Sequence, residues 1–418
     1  MRMYLYIFAF VGIFIVVFFP ALAYDIAIVL LRLSPIWAPL LFGYGLWRIS
    51  WYFRRAFFLS KQKYTLLEIK LPRIIDKSPL AMEVFLTNIH NAGGEGTFYD
   101  KYILAKMRPF WSLELVSDGG KVKFYIRTRS FFKNQVEAQL YAQYPDIQII
   151  ESEDYARLRE YDESTMNLWG CDYKLRQKDA YPILTYIDYG LDKNPKEEYK
   201  VDPITAVLEL LSLVGPQHQL WVQIVLRARK GDQNAGWFKT TDRMKDEVKA
   251  EIKKMLTDLQ ATRGTMNLPS IGELSDVQQR KIKALERSLE KLSFEAGIRA
   301  VYFGPKETYD GSIVPQVANL FKPFASNEMN TIVPTGWLAD FAFPWQDFGG
   351  KNSAAAKKEV FRMYRRRAFF DMQYWPTPFV LTTEEVATIY HFPGDVARTP
   401  MLEKIQTRRM EAPSNLPI

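Results

Sequence analysis

The residues best placed to hold a phosphate group are Gly349 to Ser353, where two glycines precede a lysine. A phosphate-binding loop needs glycines, which let backbone N–H groups surround the phosphates, and a Lys followed by Ser or Thr. Here Asn352 follows the lysine, and Trp345 stands where the first glycine of the motif belongs. The run from Gly93 to Gly96 ends a predicted helix and does not begin one. Both segments therefore predict loops and not nucleotide sites.

Metal and nucleophile chemistry has few candidate residues. The three histidines, His90, His218 and His391, are far apart in the sequence, and none has a second ligand at a metal-binding spacing. The single cysteine, Cys171, cannot form an internal disulfide and is more typical of a small packed residue than of a reactive thiol. A site assembled from distant carboxylates stays open. We therefore expect no catalytic residue, no cofactor and no metal site, and a protein that is not an enzyme.

One predicted strand has a basic face. From Lys121 to Thr128, apolar side chains alternate with Lys123, Tyr125 and Arg127. On an open sheet face these side chains would stack on bases and contact phosphates, as in RNA-recognition modules. Only one of the three is aromatic, however, so we favour a face that is solvated or covered by a partner.

The segment from Lys357 to Arg367 predicts a basic helix. Arg362, Arg365 and Arg366 share one helical face, because residues three and four apart are neighbours on a helix. Such a face binds DNA phosphates or anionic lipid. A protein partner and a simple solvated face are the alternatives.

These candidates belong to a chain that is long enough to fold into several domains. It has 418 residues, 48% of them hydrophobic, and a formal net charge of +8. The composition excludes a disordered tail. The charge is compatible with binding to anionic lipid or nucleic acid, but it does not distinguish either from simple solubility.

The region after residue 60 predicts the order β-α-β-β-α-β, which is the ferredoxin-like arrangement. A turn at Gly119-Gly120 joins its second and third strands as a hairpin. The predicted elements are a strand from Leu67 to Leu71, a helix beginning at Ser78-Pro79, strands from Trp111 to Val116 and from Val122 to Thr128, a helix with Phe132, Val136 and Leu140 on one face, and a strand from Asp146 to Ile150.

A second, irregular module follows, in which a helical hairpin is inserted. Its first helix starts at Asp202-Pro203 much as the earlier one starts at Ser78-Pro79, which indicates an internal duplication. A stripe on the second inserted helix, Ile282, Leu285, Leu289 and Leu292, predicts a core-facing side or a coiled-coil docking surface. The predicted elements are a strand from Ile183 to Asp188, a helix from Pro203 to Val214, a strand from Leu220 to Arg229, helices from Thr241 to Leu259 and from Asp276 to Phe294, a strand from Arg299 to Phe303, and a helix from Ile313 to Phe321.

The N-terminus predicts a transmembrane hairpin. Residues Tyr4 to Ala23 carry no charge and are long enough for a bilayer core, which needs roughly 20 helical residues. A second apolar stretch runs from Ile26 to Trp47, with a turn expected at Tyr24-Asp25. Signal-peptide cleavage after Ala21-Leu22-Ala23 is the alternative for the first stretch.

Basic and aromatic residues follow the second span, and they include Arg48, Trp51, Arg54 and Arg55. This mixture is typical of the cytoplasmic side of a membrane interface. Since Arg2 marks the other end as cytoplasmic too, we expect a protein of the cytoplasmic membrane whose body faces the cytoplasm.

The stretch from Thr382 to Pro393 begins with a capping box and continues as an apolar helix. It reads TTEEVATIYHFP, and it resembles the T-E-E-[LV]-A-x-[LI]-[WYF]-H-[LF]-P stretch that precedes the motor domain in conjugative, type IV secretion DNA-transfer ATPases. Pro413 to Pro417 resembles the proline-rich lead into that motor. Three further segments resemble membrane-anchored conjugation proteins of ultrasmall bacteria: Leu67 to Pro72, Lys77 to Glu83 and Ala142 to Asp146.

The resemblance implies a non-catalytic, membrane-anchored adaptor or scaffold of a type IV secretion or conjugation-like DNA-transfer apparatus. It would dock a separately encoded transfer ATPase at the cytoplasmic face and contact other secretion-system subunits, and we expect a homo-oligomer. The residues assigned to partner docking are Thr383, Glu384, Glu385, His391, Pro413, Asn415 and Pro417. The alternative functions are a nucleic-acid-binding module at the transfer channel, with DNA as partner, and a membrane scaffold unrelated to DNA transfer.

The predicted fold class is α+β, with an N-terminal transmembrane helical hairpin followed by two ferredoxin-like modules. The predicted regions are the hairpin and its basic, aromatic collar (1–60), the first module (61–155), the second module with its helical hairpin (173–330), and a basic helix, capped helix and C-terminal docking tail (331–418).

Overall fold

The chain forms two compact units in a computed structural model. The structure describes residues 14, 17–72, 75, 77–193, 201–230, 243–263, 274–335, 347–370, 377–394 and 404–405. The first unit contains Met1–Lys61 and Glu95–Met107, and the second contains Gln62–Gly94 and Arg108–Ile418. The predicted regions 61–155, 173–330 and 331–418 therefore fall mostly within one unit.

Two helices of the first unit have described bounds, α1 (Pro20–Arg32) and α2 (Ser34–Ser60). They meet at Leu33 with a bend of 70°. The turn predicted at Tyr24-Asp25 is wrong, because both residues lie inside α1. The break occurs instead before Pro35, whose ring removes a backbone donor and fixes φ, which suits the first turn of the new helix.

Among the described residues, no single helix is both long and apolar enough to cross a membrane. Joined across their bend, α1 and α2 meet that requirement by length and composition. Most of the first predicted span, Tyr4 to Ala23, lies outside the described residues.

The first unit also contains a loop, residues 95–107, that lies between two elements of the second unit in the sequence. Its middle forms a single turn of π-helix at Tyr99–Ile103. The loop contacts the last part of α2. Trp51 Nε1 donates to Lys101 O at 2.8 Å, and Arg54 Nη1 donates to Ile103 O at 2.6 Å.

A mixed α+β fold makes up the second unit, and most of its sheet is antiparallel. The described strands are β1 (Tyr64–Pro72), β2 (Phe110–Asp118), β3 (Lys121–Arg129), β4 (Gln148–Ser152), β5 (Met166–Leu175), β6 (Gln219–Ala228), β7 (Ser293–Pro305), β8 (Ile332–Thr335), β9 (Phe379–Thr382) and β10 (Lys404–Ile405). The sheet order within the described residues is β10-β1-β3-β2-β6-β7-β5-β8, with β4 also paired to β1 and β9 also paired to β7.

The first half of the sheet has the order β4-β1-β3-β2, and all its pairs are antiparallel. The four predicted strands are present. Gly119 and Gly120 form the β2–β3 turn with φ of 59° and 88°, values that a two-residue hairpin requires and that favour glycine. A helix α3 (Leu80–Ile89) follows β1, and α4 (Lys133–Gln143) follows β3.

The second half has the order β6-β7-β5-β8. Its first strand is β5, and the strand predicted from Ile183 to Asp188 is wrong. The backbone N–H groups of that segment donate to side chains and to a 3-10 turn, and not to a strand. Ile183 N donates to Glu385 Oε1 at 3.0 Å, Leu184 N to Phe324 O at 3.1 Å, and Tyr186 N to Thr388 Oγ1 at 3.0 Å. The charged residue Asp172 interrupts the apolar pattern of β5 in the sequence, but it is buried in the structure.

The two halves join where β2 and β6 pair antiparallel over nine residues, with Leu113 opposite Ile224. Both strands are buried along nearly their whole length. This seam makes the two halves one continuous sheet, so neither half has its own free edge there.

Helices cover both faces of the sheet. The remaining described helices are α5 (Tyr155–Leu158), α6 (Ile204–Ser212), α7 (Arg243–Arg263), α8 (Asp276–Glu290), α9 (Ile313–Ala318), α10 (Lys351–Arg366) and α11 (Thr383–Ile389). The larger core lies under α3, α4, α6, α9 and α11, and a second core lies on the opposite face under α5 and α10.

The inserted helical hairpin is present as α7 and α8, although α8 ends at Glu290 because Ser293 already begins β7. Its predicted apolar stripe is buried only in part, because Leu289 is half-buried and Leu292 lies after α8 and is 43% exposed. Ile282 and Leu285 are buried, and Leu285 packs with Val248 of α7.

Candidate functional site

The basic helix α10 exposes part of its predicted cationic face. Arg362 and Arg366 are exposed and Arg365 is half-buried. Arg362 makes a bidentate pair with Glu359, at 2.7 and 2.8 Å, and the Arg365 guanidinium lies 5.8 Å from the ring centre of Phe361. The three side chains therefore form a surface, although a neighbouring carboxylate offsets part of its charge.

The loop before α10 is already occupied by a carboxylate of the chain. Asp347 Oδ1 accepts from the backbone N–H of Asn352 at 2.8 Å, and its Oδ2 accepts from that of Ser353 at 3.3 Å. These are the N–H groups that a phosphate would bind at a helix start. The loop predicted from Gly349 to Ser353 is therefore wrong, because Phe348–Gly350 forms a 3-10 turn and Lys351 already begins α10.

The residue that ends the basic run, Arg367, lies inside the protein. It adopts a left-handed backbone, with φ of 51°, that turns its side chain back under α10. Its guanidinium binds Glu114 of β2 through two hydrogen bonds, at 2.9 and 3.1 Å, and Asp154 through two more, at 2.6 and 2.8 Å. The side chains of Arg367 and Glu114 are both 0% exposed.

Glu114 has further donors around it. Ser112 Oγ and Tyr155 OH each donate to it at 2.6 Å, and Gln223 Nε2 donates at 3.2 Å. Burial opposes ionisation of Glu114, but the charge and hydrogen bonds of Arg367 hold its pKa below the usual range. A carboxylate that stays ionised with every contact satisfied is suited to fixing elements together and is unsuited to donating a proton.

The predicted basic strand face on β3 lies under this cluster. Tyr125 is 4% exposed and its ring lies 5.0 Å from that of Tyr155. Arg127 lies over the ring of Tyr64 at 3.9 Å, and burial lowers its pKa to about 10. Lys123 is half-buried, 3.8 Å from Glu68. The face is covered by the chain itself, so it is not an open base-stacking surface.

The stretch from Phe379 to Phe392, which we name the clasp, connects the two halves of the sheet. Its strand β9 pairs with β7, and its helix α11 packs against α3. Beyond the helix, Tyr390 OH donates to the backbone oxygen of Tyr125, and the Phe392 ring lies 4.8 Å from that of Tyr144. The clasp therefore contacts elements from both halves.

The capping box predicted at the start of α11 is confirmed. Thr382 Oγ1 accepts from Glu385 N at 3.3 Å, while Glu385 Oε2 accepts from Thr382 N at 2.8 Å. Glu385 also accepts from Ile183 N. Burial raises the pKa of Glu385 to about 7, against the lowering effect of these hydrogen bonds.

Thr383 and Glu384 are also buried, at 1% and 3% exposure. Thr383 N donates to Leu292 O at 2.9 Å. Glu384 Oε1 accepts from Thr185 Oγ1 at 2.6 Å and lies 3.4 Å from Arg287 Nη2. Burial raises the pKa of Glu384.

His391 is 1% exposed and pairs with Asp202, Nε2 to Oδ2, at 3.0 Å. Its other nitrogen, Nδ1, lies 2.9 Å from Ala387 O. Burial alone would lower the pKa of His391, but the Asp202 carboxylate raises it above 6.5. Because both ring nitrogens face acceptors, the geometry fits the imidazolium form.

The predicted docking residues therefore divide into two groups. Thr383, Glu384, Glu385 and His391 are interior and bind partners in the same chain, so they do not form a docking surface in this structure. The other three, Pro413, Asn415 and Pro417, lie outside the described residues.

The predicted membrane-interface residues lie on α2. The Arg48 and Arg55 guanidiniums lie 5.9 and 5.1 Å from the ring centres of Tyr44 and Trp51, respectively. Trp51 and Arg54 donate hydrogen bonds to the 95–107 loop. The structure thus brings together the cationic and aromatic side chains that the sequence placed at an interface.

Cys171 lies in β5 and is buried, and this burial raises the pKa of its thiol to about 12. Within the part of the chain that the structure describes, no three His, Cys, Asp or Glu side chains are grouped to hold a metal ion.

Sequence reasoning missed the Arg367 cluster. In the sequence, Arg367 is one more residue of a basic run, and Glu114 is one polar position of an alternating strand. A signal was present, since Ser112 and Glu114 occupy the same face of β2 as the β3 residues Tyr125 and Arg127, which are their cross-strand partners.

Residues 59–404 match the model of a protein family described as a domain of unknown function (DUF8128). The matched range includes α10, the clasp and every described strand up to the first residue of β10. A comparison with curated proteins finds no match.

Proposed function

The chain belongs to the DUF8128 family, and we propose that this member is a non-catalytic, membrane-anchored adaptor of a type IV secretion or conjugation-like DNA-transfer apparatus. It would hold a separately encoded transfer ATPase at the cytoplasmic face of the inner membrane. The resemblance of TTEEVATIYHFP to the pre-motor part of such ATPases supports the choice of apparatus.

The observation that carries the anchoring is the exposure of large apolar side chains along α1 and α2. Leu31, Leu40 and Leu46 are 75%, 70% and 68% exposed. A soluble protein rarely leaves so many large apolar side chains in contact with water, whereas lipid accommodates them. The basic and aromatic residues at the end of α2 support a cytoplasmic placement of the second unit.

The organisation of the second unit supports a scaffold role. Its buried ionisable groups, among them Glu114, Arg367, Asp202 and His391, bind one another and hold elements together. We further propose that each half of the sheet is a ferredoxin-like module, which the orders β4-β1-β3-β2 and β6-β7-β5-β8 support.

Because the clasp is interior, we assign ATPase docking to the C-terminal tail alone, at Pro413, Asn415 and Pro417. A proline-bounded tail suits recognition as an extended peptide, and anchoring raises its local concentration near other membrane-bound subunits.

The test is copurification of the full chain from detergent-solubilised membranes. We expect a transfer ATPase to copurify, and to be lost when Pro413, Asn415 and Pro417 are all replaced by Ala. Unlike deletion from Arg398 onward, this variant keeps β10, which pairs with β1, so it leaves the sheet intact. An unchanged complex would remove the docking role, and absence of an ATPase from the wild-type complex would favour a scaffold unrelated to DNA transfer.

A second candidate, a nucleic-acid-binding module, is favoured by the exposure of Arg362 and Arg366 on α10. Reversing the charges of Arg362, Arg365 and Arg366 with Glu should then weaken DNA binding and reduce its salt dependence in filter binding across a salt series. The matched control reverses three exposed lysines on α7, Lys245, Lys249 and Lys253. No binding by the wild type at low salt would reject this function.

A further inference from the structure

The 95–107 loop belongs to the first unit, although the elements before and after it in the sequence belong to the second. In the sequence it connects α3 to β2, which are both elements of the second unit. In the structure it is grouped with α1 and α2, and the chain returns to the body at Arg108. A connection of this length between neighbouring elements usually has a function of its own.

The loop is held against α2 through its backbone. Trp51 and Arg54 donate to its carbonyl oxygens at Lys101 and Ile103. On the same side, the ring of Tyr102 lies 6.0 Å from that of Trp47. Because α2 residues one turn apart bind it, the position of the loop along the helix is fixed.

The loop exposes four large apolar side chains. Phe98 is 72% exposed, Tyr99 is 58%, Ile103 is 40% and Leu104 is 39%. Two charged groups of the loop neutralise each other, since Lys106 binds Asp100 at 2.8 Å. Four exposed apolar side chains within seven consecutive residues are unusual on a surface that faces water.

We propose that this loop is a second membrane contact, which inserts Phe98, Tyr99, Ile103 and Leu104 at the boundary between lipid headgroups and acyl chains. The inference rests on the proposed anchoring by α1 and α2. Its occupant is lipid because the apolar surface continues that of α2 at the level of Trp47, Trp51 and Arg54, residue types that lie at the headgroup region. Lys101, next to Tyr102, suits anionic headgroups.

The experiment uses an environment-sensitive NBD label on a single cysteine in the full chain. The native Cys171 is buried and its thiol pKa is raised to about 12, so it should not react and need not be replaced. The test variant is Phe98→Cys. Phe131→Cys is the matched control, since Phe131 is an exposed phenylalanine of the second unit. Leu40→Cys, on α2, reports on the anchoring itself.

Each variant is reconstituted in vesicles of phosphatidylcholine with a minority of phosphatidylglycerol, with or without nitroxide-labelled acyl chains. We expect the label at position 98 to emit at shorter wavelength than the label at 131 and to lose more than half of its emission to the nitroxide. The label at 40 should behave like that at 98.

The outcomes separate this inference from the proposed function. A water-like label at 98 beside a quenched label at 40 overturns the loop contact and leaves the anchoring standing. A blue-shifted label at 98 that resists the nitroxide indicates cover by a second copy or another protein, which also overturns it. If the label at 40 is water-like as well, the anchoring itself fails.

Discussion

Arg362 and Arg367 belong to one basic run, yet their surroundings give them opposite roles. Arg362 is exposed and pairs with a carboxylate on its own helix. Arg367 is buried and binds Glu114 and Asp154 on other elements. Burying an ion pair costs desolvation free energy. Removing one partner costs far more stability, because the remaining charge is buried with neither water nor a counter-charge.

We therefore expect Arg367→Met to destabilise the protein by about 3–5 kcal/mol, since it leaves the Glu114 carboxylate buried without its counter-charge. Arg362→Met, the matched change on the surface, should cost less than about 1 kcal/mol. Denaturant unfolding of both variants in the same detergent measures the difference. Adding Glu114→Gln to Arg367→Met should recover part of the loss. Equal costs for Arg367→Met and Arg362→Met would contradict the role of Arg367 as the buried counter-charge of Glu114.

The His391–Asp202 pair predicts a pH dependence. The folded-state pKa of His391 is raised above 6.5, so its stabilisation is complete below that pH and is lost as the pH rises through the folded pKa. Burial alone would raise the pKa of Asp202, but His391 lowers it below 3.8. The Asp202 carboxylate is therefore charged throughout the pH range in which His391 titrates.

In the protein, Ile204 N donates a hydrogen bond to Asp202 Oδ1 at 3.1 Å. The variant Asp202→Asn keeps an oxygen that can accept this bond but removes the negative charge. We expect the melting temperature of the wild type to exceed that of the variant most near pH 6, and the gap to shrink at alkaline pH. Glu385 also titrates near this range, but it is present in both proteins, so its contribution cancels in the difference between their melting temperatures. A constant gap would contradict the assignment.

At the residue scale, the sequence identified which side chains share a face but not what covers that face. Alternation placed Tyr125 and Arg127 together on β3, and they are together. Their cover comes from α5 and α10, and α10 is more than two hundred residues away in the sequence. Local periodicity contains no information about such distant contacts.

The elements themselves were predicted where periodicity was clear and missed where it was interrupted. β1, β2 and β3 alternate cleanly, whereas Gly170 and Asp172 interrupt β5. Asp172 is buried in an ion pair with Arg299 at 2.8 Å, and a side chain at position 170 would meet Val360 of α10 at 2.6 Å. Both exceptions arise from tertiary packing, which overrides strand propensity.

Gly297 in β7 provides a test of such packing at the scale of one element. A Cβ atom there would lie 2.0 Å from the ring of Phe369, in the segment that follows α10. Gly297→Ala should therefore cost about 1–3 kcal/mol through overpacking. The double variant Gly297→Ala/Phe369→Ala should cost less than the sum of the two single variants, as measured by thermal unfolding. Strict additivity would show that the contact is not responsible.

The molecule as a whole depends on the seam between β2 and β6. The sequence indicated two related modules but not that they share one sheet, because strand pairing between modules is set by contacts far apart in the chain. The clasp adds a second connection, with β9 on β7 and α11 on α3.

This architecture predicts that both halves of the sheet unfold together. Phe85→Ala removes a fully buried ring from α3 in the first half. Hydrogen exchange should then show faster exchange in β5 and β7 of the second half as well as in β1 and β3. As a control, Phe131→Ala removes an exposed ring and should change neither half. Faster exchange confined to the first half would mean that the seam does not couple them.

The route of the chain through the 95–107 loop has a consequence for how the body can be separated from its helices. The polypeptide passes between the two units three times, after Lys61, after Gly94 and after Met107. A protease that cuts once, between Lys61 and Tyr64, leaves α2 hydrogen-bonded to a loop that is still part of the body's own polypeptide. The nicked protein should therefore sediment intact and come apart only when denaturant breaks those bonds.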